Sequence, residues 1–534
     1  MKKLFVNQKQ KIMNKKYLIP FALILLCLSG CQDLTEDPKG SLTPITYFKT
    51  QTDLDAAVSS IYVNLAIDGA YGFTTRMTSY FGADDLTTDP ALNKAPFREF
   101  DKLSGSSQNE WMVAQWQGPW TGIYQANNVI ANYEKVVSTE ELKNSAAGQA
   151  FFLRAWGFYN LVRTFGEVPL ILTPIDVNDR PERAPVSDIY AAIVSDLKTA
   201  KSLLPTSFSG QPGRADKYAA TALLADVYLT MAGWPLNETS NYALSAAEAQ
   251  EVMGANAFTL MDDYATVFNT NNNSESIFAL QYNVVGRLPQ RSFGSSCVPL
   301  EEAALNGQTG WDDYYPEINF YLNAPECERT DATFYTTMKL KQSDNTFKLV
   351  PWDSPETHGL HPYYKKFREG LAGDGATGGV VETETEIISM GPSTNKALDI
   401  IRYPLVLLDY AEASTMASGA PSSQAYDAIN AVRHRAGLSD LTPGLSQEAF
   451  RDAVVFERAY EFAGEFGIRW FDIVRLQLLP EVIAARNEDV WPGGNPKENL
   501  IPDATKANPS LKYLAPIPQN EMFRNPAWIQ NSGY

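Results

Sequence analysis

The stretch 149–170 constrains the fold more than any other part of the chain: Gln-Ala-Phe-Phe-Leu-Arg-Ala-Trp-Gly-Phe-Tyr-Asn-Leu-Val-Arg-Thr-Phe-Gly-Glu-Val-Pro-Leu. Phe152, Ala155, Trp156, Tyr159 and Val162 recur at helical spacing, and Leu153, Phe158, Leu161 and Phe165 cover much of the rest. A helix that is apolar nearly all round must be enclosed by other elements. Gly166 stops it and Pro169 blocks its resumption. Arg154 and Arg163 would be costly to bury alone, so each is expected to reach an acid or helix-end carbonyls.

The helices on either side have to supply that enclosure. The segment after Asp53 carries Leu54, Val58, Tyr62 and Leu65 on one face. Residues 111–136 are largely helical, with a break or kink expected at Gly118-Pro119. The segment 188–204 is amphipathic, and 217–229 mixes small and large apolar residues as closely packed helix pairs do. Successive helices with short joints predict an all-α scaffold of the tetratricopeptide-like, helical-repeat kind. Over 269–395 the texture changes: Asn, Gly, Pro and Tyr rise, and only the 276–282 segment reads as a strand. A stretch that long and irregular inside a folded chain is expected to be functional. Helices are expected to resume at Ile400, at 428–437 and over 456–475. The organisation predicted is a leader (1–30), a linker (31–50), the first part of the helical scaffold (51–268), a ligand-bearing insertion of loops and short strands (269–395), and helices completing the scaffold (396–534).

The leader is basic, with Lys2, Lys3, Lys9, Lys11, Lys15 and Lys16 and no acid, followed by a short apolar run over 17–28. It ends in Leu28-Ser29-Gly30-Cys31, which resembles the lipobox of bacterial lipoproteins; Met13 is an alternative start. Acylation of Cys31 would anchor a soluble body to a membrane surface rather than thread it through one. The chain has a formal charge of −18; without the leader's six lysines, 38 basic residues face 62 acids, a net −24. That balance argues against nucleic acid as a partner, because phosphate binding needs a basic surface. With Cys27 lost and Cys31 acylated, Cys297 and Cys327 remain, and in an exported chain they are expected to pair.

Five segments, taken in order, resemble one family. They are Phe152-Leu-Arg-Ala with Leu161-Val-Arg-x-Phe-Gly-x-Val-Pro-Leu, Arg402-Tyr-Pro with Leu408-x-Tyr-Ala-Glu-Ala, Ile429-Asn-x-Val-Arg-x-Arg-Ala-Gly, Glu457-Arg with Glu461-Phe and Arg469-Trp-Phe-Asp, and Pro516-Ile-Pro with Asn525-Pro. With the lipobox they resemble the SusD/RagB outer-membrane lipoproteins of Bacteroidetes. The resemblance implies four helix-turn-helix repeats and a non-catalytic cell-surface lipoprotein. Such a protein captures oligosaccharide or polysaccharide and delivers it to a SusC-like TonB-dependent transporter, with no cofactor. Peptides or other nutrients are alternative ligands, and a glycoside hydrolase is an alternative function.

The residues themselves fit binding better than catalysis. There is no Gly-x-Ser-x-Gly, His-Glu-x-x-His or phosphate loop. Asp84-Asp85 and Glu301-Glu302 offer carboxylates, but adjacent residues seldom flank one bond as hydrolysis requires. His358 and His361 lack further ligands in sequence, so no metal site is expected. Sugar CH faces lie flat on aromatic rings, and sugar hydroxyls need Asn, Asp and Arg. Candidate ligand contacts are therefore Arg287, Phe293, Trp311, Asp312, Tyr314 and Tyr315, with Trp352 as a second choice. The resemblance adds the early segment, here Tyr71 and Asp85.

Overall fold

A computed structural model describes residues 47–72, 78–175, 179–282, 296–297, 299–301, 311–344, 346–367, 396–486 and 503–534. The leader, Cys31, Arg287 and Phe293 lie outside the described residues. The scaffold helices are α1 (Gln51–Ala66), α2 (Glu110–Asn132), α3 (Glu140–Phe165), α4 (Val186–Leu203), α5 (Lys217–Ala232), α6 (Asn241–Gly254), α7 (Tyr403–Ser418), α8 (Ser423–Arg435), α9 (Gln447–Glu461), α10 (Ile468–Arg475) and α11 (Leu479–Ala485). The expectation of a mainly helical scaffold is met.

Helix α3 is the enclosed central helix. Thr139 caps its start by accepting from the Leu142 amide, and Gly166, at φ +71°, ends it. Nearly every residue from Ala146 to Phe165 is buried, walled in by α1, α2 and α4. Both arginines find the partners their burial requires. Arg154 makes a bidentate pair with Asp196 on α4, at 2.8 and 2.7 Å, and also donates to Asn127 Oδ1 on α2. Arg163 lies between the Tyr159 and Phe471 rings, 3.7 and 3.8 Å from their centroids, with Asp226 at 3.7 Å.

Neighbours in sequence pack as neighbours in space from α1 to α6, and α7 then packs on α6 and α5. The stack therefore continues across the intervening 148 residues, 255–402, as if they were spliced into one joint. Among the described residues, four five-residue strands lie within or at the edge of that segment, β1 (Ser276–Leu280), β2 (Thr337–Lys341), β3 (Phe347–Pro351) and β4 (Leu398–Arg402), beside a two-residue pair, Phe334–Tyr335 with Tyr363–Tyr364. β1 and β4 pair antiparallel, Ser276 opposite Arg402 and Leu280 opposite Leu398, and so close the base of the inserted loops. β2 and β3 form a hairpin.

Two local expectations are corrected. Helix α2 runs unbroken through Gly118 and Pro119, both buried. Gly118 is the point of closest approach there: a Cβ on it would lie 2.2 Å from the Gly69 carbonyl oxygen. Residues 398–402 are strand, not helix, because the β-branched pair Ile400-Ile401 finds β1 to pair with; α7 starts at Tyr403 with Pro404 in its first turn, where a missing N–H costs nothing. Helix is found over 456–475 as expected, in two pieces. Gly464 and Gly467, at φ +72° and +78°, turn the chain between α9 and α10, and a Cβ on Gly467 would lie 2.5 Å from the Tyr80 ring.

The recurring sequence segments meet in buried charge networks. Arg402 binds Glu275 and Glu461 at 3.0 Å and Glu465 at 2.8 Å, and Arg435 pairs with Glu275 and Glu461 as well. Burial alone would push Glu461 up, but Arg435, Arg402 and Arg329 outweigh it and hold its carboxyl at about 2. Arg458 joins Asp409 to Asp472, and Arg475 joins Glu412 to Asp472. All of these side chains are buried. Removing one partner of such a set leaves an uncompensated charge in a dry interior, typically a loss of about 3–5 kcal/mol. Ion pairing of Glu457, Glu461, Glu465, Arg458 and Arg469 across elements is thus what ties α9 and α10 to their neighbours.

Candidate functional site

Three distant segments come together on the inserted loops: 84–94, 311–317 and 352–364. A single antiparallel bridge joins the first two, with the Thr87 amide donating to Tyr315 O at 2.7 Å and the Tyr315 amide to Thr87 O at 3.1 Å. Thr88 Oγ1 donates to Asp313 O at 2.6 Å. Lys94 reaches across to the Trp311 carbonyl and the Asp313 carboxylate, and Ser296 Oγ donates to the other Asp313 oxygen at 2.9 Å. Behind them Arg486 ties Asp101 to Glu317, all three buried, while Thr87 Oγ1 donates to Asp101 Oδ2. Backbone and charged side chains thus fix the 311–315 run from both ends.

Within that run the residues divide. Tyr314 and Tyr315 are fully buried. Tyr315 packs in a small core with Tyr335, Met338, Val350 and Tyr363, its ring 4.5 Å from His361, and Tyr314 lies against Tyr364 and Phe367. They are corrected from ligand contacts to the floor beneath the run. Trp311 keeps partial exposure. Trp352 is partly buried against the same core, edge-on to Tyr321 at 5.9 Å. Asp312, at φ +48°, is turned inward and buried, with Oδ2 on His358 Nδ1 at 2.9 Å. That hydrogen bond, with the Asp89 and Glu301 carboxylates nearby, outweighs partial burial and pushes His358 up to about 9.

The two early candidates lie elsewhere. Tyr71 stacks on Trp156 at 3.7 Å and donates to the Trp156 carbonyl, so it belongs to the core beside α3. Asp85 is buried with Oδ2 on the Gly464 amide at 2.9 Å, and Asp84 is held bidentate by Arg469 at 2.7 Å. Asp85 is thus engaged with the Gly464 amide and Asp84 with Arg469 rather than set across from each other as hydrolysis of one bond requires. The sulfurs of Cys297 and Cys327 are not bridged, a second correction. Cys327 heads the helix Glu328–Thr333 with Sγ 3.5 Å from Thr330 Oγ1, whereas Cys297 is buried near Tyr364, so the two sit on separate elements without the sulfur contact that a disulfide needs. Asp89, Lys94 and Thr87 were not singled out from sequence; they lie more than 200 residues from their partners on the 311–317 and 352–364 segments, and no spacing rule connects them.

A family model described as "SusD family" matches residues 233–534, and a second, "Starch-binding associating with outer membrane", matches residues 43–229. This chain is a member of the SusD family. Relatives similar to it include "SusD-like protein P2" of Formosa agariphila, 30% identical over 97% of this chain and 100% of that one. "Starch-binding protein SusD" of Bacteroides thetaiotaomicron is 24% identical over 85% of each. A SusD superfamily crystal structure from Parabacteroides distasonis superposes with a TM-score of 0.73 at 25% identity, over 92% of this chain and 100% of that one. The SusD fold is also shared by "Surface glycan-binding protein A" of Bacteroides thetaiotaomicron, solved with laminarihexaose, at TM-score 0.69 and 20% identity over 90% of this chain and 100% of that one. The chain thus belongs to a family of starch- and glycan-binding, outer-membrane-associated proteins, and among its described residues no helix is long and apolar enough to cross a membrane.

An open concavity of about 490 Å³ lies between α9, α10, α11 and the helix Ile318–Leu322, with Phe456, Arg451, Asp84 and Glu317 among its lining residues. It is one alternative place for a ligand among the described residues.

Proposed function

We propose that this protein is a non-catalytic, lipid-anchored receptor at the cell surface that captures oligosaccharide or polysaccharide and passes it to a SusC-like TonB-dependent transporter. The observation that carries the reading is Trp311: a partly exposed ring on a run whose other aromatics are core, held by Lys94 and Asp313 on one side and Asp312 with His358 on the other. A ring carried on a backbone held that way, with only two side-chain torsions of its own, can stack on a sugar face without freezing many rotamers. Family membership and the starch- and laminarin-related names of its relatives support a glucan-type ligand. The engagement of Asp84 with Arg469 and of Asp85 with Gly464 supports binding without hydrolysis. Acylation at Cys31 supplies the anchor in this reading.

The test is isothermal titration of the purified protein with maltohexaose, laminarihexaose and a mixed peptide library, followed by chromatography of the recovered sugar. Saturable binding of one oligosaccharide, recovered uncut, is expected. Binding confined to peptides, or shortened sugar products, would replace this reading by one of its alternatives.

A further inference from the structure

The site carries more negative charge than its described partners neutralise. Asp89, Asp312 and Glu301 converge on His358: its Nδ1 stands 3.3 Å from Asp89 Oδ2 and 2.9 Å from Asp312 Oδ2, and its backbone amide donates to Glu301 Oε1. The adjacent Lys94 is engaged by Asp313 and the Trp311 carbonyl. Two carboxylate oxygens are left buried and without a hydrogen bond, Asp312 Oδ1 and Glu301 Oε2. Asp312 is only 1% exposed. The Tyr363 hydroxyl lies close to Asp312 but without the alignment of a hydrogen bond. Buried carboxylate oxygens are normally satisfied, and each orphan asks for an explanation.

We propose that Asp89, Asp312 and His358 bind a divalent transition-metal cation, with Glu301 adding its charge beside them. One donor atom from each of the three lies within 4.8 Å of the others. Ligands about 2.1 Å from a shared ion stand about 3.0–4.2 Å apart, so closure needs less than about 1 Å of movement. Carboxylate oxygens with a single imidazole suit Mn²⁺ or Zn²⁺ better than an all-oxygen Ca²⁺ shell. The two acids are buried and His358 is about half exposed at 49%, so an ion could enter from solvent without opening the core. The three ligands come from the three segments that frame Trp311, and a bound ion would pin them together. The inference concerns the framework and stands whether or not Trp311 stacks a sugar.

The experiment uses the purified protein, treated with chelator and dialysed, with no glycan present. Mn²⁺ is titrated and free ion read by electron paramagnetic resonance; Zn²⁺ is then added as competitor, and thermal melts are run with and without each metal. Expected are one saturable Mn²⁺ site per chain, displacement by Zn²⁺, and a raised melting temperature with metal. In His358→Ala the affinity should fall at least tenfold and the metal-dependent shift should vanish. His358 is half exposed, so that variant should fold; Asp89→Asn is the second variant, expected to weaken binding in the same direction. No saturable Mn²⁺ or Zn²⁺ binding up to millimolar concentration would overturn the proposal, as would binding that neither substitution changes.

Discussion

Asp85→Asn gives the sharpest check on how the early acidic segment has been read. Burial pushes the Asp85 carboxyl up from 3.8 to about 7, with the Asp84 charge adding to it and the Gly464 amide, Arg469 and Lys366 opposing. A carboxyl with a raised folded value holds a proton that the unfolded chain has released, so stability falls as pH rises from about 4 to about 7. A shift of about three units corresponds to roughly 4 kcal/mol, fully expressed only above pH 7. Asparagine has no such slope. It can still accept from the Gly464 amide, whose charge-assisted share is already contained in the raised value. At pH 8 the variant should therefore be more stable by about 4 kcal/mol, roughly 4 °C for a chain of this size; at pH 5 the gain should shrink to about 1–2 kcal/mol. The assay is a paired set of calorimetric melts at pH 5 and pH 8, with glycan titration at pH 8. Because Asp85 is buried under the scaffold, affinity should not change. A stability difference that ignores pH, or a variant less stable at pH 8 than at pH 5 relative to the parent, would refute the argument, and lost glycan affinity would return Asp85 to the site.

Two further outcomes follow from the same structure. Arg486→Met should cost about 3–5 kcal/mol in chemical denaturation, because it strands Asp101 and Glu317 in the buried layer behind Thr87 and Tyr315; a loss below about 1 kcal/mol would show that water reaches them. Cys31→Ala should move the protein from the membrane to the soluble fraction of its native cells, and unchanged fractionation would remove the lipid anchor from the account.

Much of the scaffold was legible because helical periodicity and buried charge leave marks in sequence. The run around Trp156 had to be enclosed, and Arg154 and Arg163 had to be answered; Asp196 and the Tyr159–Phe471 sandwich answer them. Pro119 misled because a proline signals a missing donor, while Gly118 beside it signals a close crossing, and in this packing the crossing is the stronger demand. The site was legible only as a neighbourhood. The 311–315 run announces rings and acids, but an irregular segment has no period to say which side faces water. Tyr314, Tyr315 and Asp312 turned in while Trp311 stayed at the edge. The carboxylate of Asp89 and the ring of His358 are brought together by the topology of the inserted loops, which local pattern does not encode.

The central claim rests on Trp311, and Trp311→Ala tests it in one paired measurement: calorimetric titration with the oligosaccharide the parent binds, beside a thermal melt. The account predicts a tenfold to hundredfold loss of affinity, about 1–3 kcal/mol, because the indole ring no longer desolvates a sugar face. It predicts an almost unmoved melting temperature, since the floor of Tyr315, Tyr335, Met338, Val350 and Tyr363 remains intact. Retained affinity in a folded Trp311→Ala, with binding abolished instead by Phe456→Ala in the 490 Å³ concavity, would place the ligand elsewhere. A melting loss on the scale of a core Trp, about 3–5 kcal/mol, would make Trp311 a packing residue and contradict the account.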